Sequence, residues 1–98
     1  MQTFADYYTQ RVNQASKDQG TDQICEALAE FGIKATSEQT GGFTMCAFVQ
    51  LTKSRYIYAN LTGAGIYDQD GFLKDLCQYD EIQTPQQIAL DIHNYINR

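Results

Sequence analysis

At 98 residues the chain has material for one hydrophobic core and too little for two, and 43% hydrophobic against 19% charged residues argues against intrinsic disorder. The net charge of -5 is unevenly spread: residues 1–65 carry six acids and five bases, net -1, and residues 66–98 carry six acids and two bases, net -4. Phosphate contacts dominate nucleic-acid affinity, so this balance disfavours DNA, RNA or anionic membrane and favours a partner with a basic surface.

The first predicted element is an amphipathic helix over residues 3–19, with Phe4, Tyr8, Val12 and Ala15 at helical spacing. Thr3 and Asp6 have the separation of a capping box, and Gly20 is a stop signal. A second helix is expected from Thr21 or Asp22, with Ile24, Ala27, Leu28 and Phe31 on one face. Gly32 stands just past its end, where a left-handed backbone is needed, and Ile33 can supply the accompanying apolar contact.

From Ile33 the hydrophobic period changes. Residues 33–37 are expected to form a short strand, and Gly41 and Gly42 a break. Residues 43–51 alternate, with Phe43, Met45, Ala47, Val49 and Leu51 on one side and Thr44, Cys46, Phe48 and Gln50 on the other. Residues 55–61 alternate again, Ile57, Ala59 and Leu61 opposing Tyr56, Tyr58 and Asn60, so these two strands predict an antiparallel hairpin. In residues 62–71, TGAGIYDQDG, two turns flank a short edge strand at Ile66 and Tyr67, with Gly63-Ala64-Gly65 read as a turn. Residues 72–79 fit helix, strand or packed loop, and the sequence leaves that open. The last helix begins with Thr84 as cap, Pro85 at the first position and Gln87 completing a capping box, and its buried stripe is Ile88, Ile92, Tyr95 and Ile96. The expectation is one α+β domain over residues 1–98. A three- or four-stranded antiparallel sheet packs against two N-terminal helices and one C-terminal helix.

Residues 44–51, TMCAFVQL, resemble the RNA-binding signature of the RRM family at Ala47, Phe48 and Val49. Thr44 stands where that signature has a basic residue, Met45 where it has glycine, and Cys46 and Leu51 where it has aromatics. That family also begins with a strand and opens an aromatic sheet face to bases, whereas two helices begin the order predicted here. The stretch is therefore read as a core strand.

The three cysteines, Cys25, Cys46 and Cys77, are odd in number and widely spaced, with no C-x-x-C pair, which predicts neither a disulfide framework nor a zinc site. No leader-like or membrane-spanning apolar run is present, and a reducing cytoplasm is the expected location. Asp68-Gln69-Asp70-Gly71 fails as a calcium loop: with Gly71 at its sixth position, Ile66 and Cys77 would stand at its first and last ligand positions. Gly63-Ala64-Gly65 fails as a dinucleotide loop, because Asp68 takes the third glycine position. No cofactor and no metal are expected.

What remains is an acidic, tyrosine-bearing surface. Phe48, Tyr56 and Tyr58 lie on the hairpin face opposite the main apolar row, partly exposed if the helices cover only the other face and buried if the N-terminal helix covers this one, and Tyr67, Asp68, Asp70, Asp75, Tyr79, Asp80 and Glu81 follow within a short, acid-rich stretch. The expected function is non-enzymatic: a protein-binding module of inhibitor or adaptor type, of the format that phages and mobile elements carry, recognising a basic surface. The alternatives are a small thiol- or acid/base-dependent enzyme pairing a cysteine with His93, and a self-associating protein whose aromatic hairpin face is a homodimer interface.

Overall fold

A computed structural model describes Thr3, Asp6 and residues 20–41 and 44–98. In chain order its elements are α1 (Thr21–Glu30), β1 (Thr36–Gly41), β2 (Thr44–Gln50), β3 (Arg55–Asn60), β4 (Gly63–Asp68), β5 (Gly71–Gln78) and α2 (Pro85–Ile96). The five strands form one antiparallel sheet in the order β1-β2-β3-β4-β5. Both helices pack against each other and on the same sheet face, α1 over β1, β2 and β3, and α2 over β4 and β5.

At the N-terminus, Thr3 and Asp6 make the reciprocal bonds of a capping box: the Asp6 amide donates to Thr3 Oγ1 at 3.1 Å and the Thr3 amide to Asp6 Oδ2 at 3.4 Å. The helix expected to follow over residues 3–19 lies, those two residues apart, outside the described part of the chain.

Helix α1 buries Ile24, Ala27 and Leu28, as its apolar spacing predicts, but Phe31 falls at the C-cap and stays 41% exposed. There the chain closes in a Schellman motif. The Gly32 amide donates to the Ala29 carbonyl and the Ile33 amide to the Leu28 carbonyl, and Gly32 takes the left-handed φ of 75° that this closure needs. In α2, Thr84 Oγ1 accepts from the Gln87 amide at 3.1 Å with Pro85 at the first position. The Gln87 side chain does not complete a capping box. It turns along the helix and donates to Asp91 Oδ1 at 3.1 Å. Of the expected stripe, Ile88 and Ile92 are fully buried and Tyr95 partly so, while Ile96 is exposed because the helix ends beside it.

The hairpin of β2 and β3 forms in the expected register, with Ala47 opposite Ala59, Phe48 opposite Tyr58 and Val49 opposite Ile57. Three expectations are corrected. The first strand runs over Thr36–Gly41 and not residues 33–37, because a polar edge strand is held by its ladder to β2 and needs little apolar signal. Gly63-Ala64-Gly65 is not a turn but the start of β4, which is an internal strand of six residues between β3 and β5. A Cβ on Gly63 would lie 2.5 Å from the Cys77 carbonyl oxygen, so glycine is required there by the closeness of β5. Residues 71–78 form β5, which brings the sheet to five strands where three or four were expected.

The turns follow side-chain chemistry. Thr52 Oγ1 accepts from the amides of Ser54 and Arg55 between β2 and β3. Asn60 Oδ1 accepts from the Thr62 amide between β3 and β4, and Asp68 Oδ1 from the Asp70 amide between β4 and β5. The core between sheet and helices contains Ile24, Leu28, Val49, Ile57, Ile66, Ile88 and Ile92, with alanines 27, 47, 59, 64 and 89 filling the closest approaches. Each large aliphatic side chain buried there contributes about 1.5–3 kcal/mol.

Candidate functional site

Alternation along the strands sends one set of side chains into that core and the other set to the opposite face. On that second face Phe48, Tyr56, Tyr58, Tyr67 and Phe72, from β2, β3, β4 and β5, form a continuous aromatic pad. Phe48 lies 5.3 Å from Tyr56 and 5.6 Å from Tyr58 between ring centroids, and Tyr56 stacks on Tyr67 at 5.7 Å with the rings 8° from parallel. Tyr58 meets Tyr67 edge-on at 5.3 Å, and Tyr67 meets Phe72 edge-on at 5.5 Å. These are the tilted, stacked and edge-to-face arrangements that aromatic quadrupoles favour. Among the described residues no helix lies over this face. Four of the rings are half-buried, and Phe72 at the margin is 56% exposed.

A shallow hollow of about 200 Å³ runs along β4 within this face. Gly63 and Gly65 contribute no side chains to it, Tyr58 borders it on β3, Tyr67 closes one end, and Phe72 and Asp75 border it on β5. A Cβ on Gly65 would stand 3.2 Å from a Tyr67 ring carbon and 3.3 Å from one of Phe72. Burial pushes the Tyr58 phenol pKa up, and the charges of Tyr56, Glu38, Cys46 and Tyr67 push it the same way.

The residues singled out by sequence separate into groups. Tyr56, Tyr58 and Tyr67 come together in the pad, and Asp75 sits beside them opposite Gly65. Asp68 and Asp70 occupy the β4–β5 turn, whereas Asp80 and Glu81 follow the other end of β5, an eight-residue strand roughly 25 Å long. These two acidic pairs do not form one patch. Tyr79 belongs to neither: its hydroxyl donates to Asp91 Oδ2 on α2. Phe72 was not among the residues singled out, because β5 hides its alternation. Two irregularities in its pairing with β4, at Leu73 and Leu76, shift the period within eight residues.

The cysteines are all free, and burial foremost pushes each thiol pKa up, that of Cys77 to about 11 with the charge of Asp91 adding to the effect. His93 stacks on Phe31 at 4.4 Å, and its Nδ1 lies 3.1 Å from the Asn97 amide nitrogen. Lowered thiol pKa values mark activated cysteine nucleophiles, and these three move the other way. Among the described residues no three His, Cys, Asp or Glu side chains gather as a metal-binding group, and no helix is long and apolar enough to cross a membrane.

No family model matches the chain, and neither the curated proteins nor the solved structures compared with it yield a match.

Proposed function

We propose that the protein is a non-enzymatic interaction module, an adaptor or inhibitor, that binds another protein through the aromatic sheet face and selects a partner with a basic surface. The observation that carries this reading is the five-ring pad spanning four strands on the face opposite the two described helices. Contiguous aromatic surface of this kind is enriched at protein interfaces, where tyrosine buries a ring while its hydroxyl stays hydrogen-bonded. Asp75 at the rim and the net charge of -5 supply the selection for a basic partner. The same charge opposes pairing of two copies through this face.

The test compares capture from host lysate by the wild-type protein, by Tyr56→Arg/Phe72→Arg, and by Leu90→Arg on the exposed side of α2, with circular dichroism on each. The expected result is a stoichiometric protein that elutes as salt rises, is lost from the pad variant and is retained by the α2 variant. Equal capture by the folded pad variant would overturn the assignment of the face.

A further inference from the structure

We infer that the hollow over Gly63 and Gly65 is an anchor subsite that receives one arginine side chain of the partner. This rests on the aromatic face being the binding face and names the chemistry of its central contact.

The volume decides the class of occupant. At about 200 Å³ the hollow falls below the roughly 300–1,000 Å³ of pockets that enclose small-molecule ligands, and it is open along its length, which suits a side chain laid in from above. Its floor is β4 backbone at Gly63 and Gly65, two successive positions on this face without side chains, and at the Gly65 end the Tyr67 and Phe72 rings close in to 3.2 and 3.3 Å from where a Cβ would stand. The walls are the rings of Tyr58, Tyr67 and Phe72, whose π systems attract a cation. Among the described residues that line it, Asp75 carries the only formal charge, and its strand partner is Gly65, the residue that floors the hollow. A planar guanidinium both stacks on aromatic rings and bonds a carboxylate through paired N–H donors. An ammonium has only the point charge. Aromatic walls and one carboxylate therefore match arginine better than lysine.

The probe is the peptide acetyl-Gly-Arg-Gly-amide, titrated into the labelled full chain and followed by amide chemical shifts, with the citrulline and lysine peptides as neutral and ammonium controls. Shifts should centre on Gly65, Tyr67 and Asp75, be absent with citrulline and be several-fold weaker with lysine. Asp75→Asn, which preserves shape, should weaken arginine binding at least about fivefold, the loss of one charge-assisted contact. Gly65→Ala, whose Cβ would press on the Tyr67 and Phe72 rings, should abolish it, with amide shifts of the free protein confined to the surroundings of those two rings. Equal shifts with citrulline or lysine, shifts centred on Asp80 and Glu81, or no shift at all would overturn the inference. So would dilution-dependent shifts at Gly65 without peptide, which would place a second copy of the chain there. The two readings fail separately. A partner lost from Tyr56→Arg/Phe72→Arg but bound at full affinity by Asp75→Asn and Gly65→Ala removes the arginine subsite and leaves the face, whereas a partner indifferent to all three variants removes both.

Discussion

The Tyr79 hydroxyl, just beyond β5, donates to the Asp91 carboxylate midway along α2, and Gln87 one turn earlier donates to the other carboxylate oxygen. Side chains from the end of the sheet and from the terminal helix thereby share one acceptor. The hydrogen bond to Asp91 is the first cause of a raised Tyr79 phenol pKa, followed by burial and the Asp91 charge. A tyrosine titrating above the ordinary value of 10.0 should be seen by NMR of the ring carbons. It should return toward that value in Asp91→Asn. The contribution to stability is present below pH 10 and lost as pH rises through the raised folded pKa. A Tyr79 pKa unchanged by Asp91→Asn would refute this coupling.

Cys77 makes a second alkaline prediction. Its thiol holds its proton to about 11 in the fold against 9.0 in the unfolded chain, so between these values unfolding releases a proton and stability falls as pH rises. Iodoacetamide labelling of the native protein should be slow at pH 8, accelerate toward pH 11 and become fast at pH 8 only in denaturant. Rapid native labelling at pH 8 would contradict the buried, acid-flanked environment.

Thr21 opens α1 fully buried, and among the described residues its hydroxyl finds no hydrogen-bond partner. Thr21→Val keeps the branched shape and removes the orphaned group, so stability should rise by about 1 kcal/mol. Urea denaturation reads this as a higher midpoint at unchanged slope.

Gly32 has open space where a Cβ would stand, so any cost of Gly32→Ala comes from the backbone alone. Holding alanine at φ 75° should cost about 1–2 kcal/mol, again in the urea midpoint. Gly32→Asn, which tolerates this region better, should recover part of the loss. Equal losses in the two variants would point to a cause other than backbone conformation.

Much of the local structure is written in short-range pattern. The Schellman closure at Gly32, the Thr84-Pro85 start of α2, and the register that sets Phe48 opposite Tyr58 each depend on residues within one element or one hairpin. Periodicity and capping chemistry act over that range, so they are legible in one dimension. The turn reading of Gly63-Ala64-Gly65 failed because glycine signals a turn locally, while here it answers a non-local demand: β5 passes too close for a side chain at Gly63, and the Tyr67 and Phe72 rings crowd the space above Gly65. β5 was ambiguous because its displaced pairings at Leu73 and Leu76 erase the period that identifies a strand.

By itself the sequence determined the α+β class, both described helices with the Gly32 closure of one and the Thr84-Pro85 start of the other, and the central hairpin that presents Tyr56 and Tyr58 away from the core. Only the tertiary structure decided that Tyr67 and Phe72 join them, that Asp75 stands beside the pad while Asp80 and Glu81 lie at the far end of β5, and that Tyr79 is engaged by α2. The reason is that an element's own pattern reports which face a side chain takes. Which residues meet on that face depends on strand order and register, and those are set by packing between segments far apart in the chain.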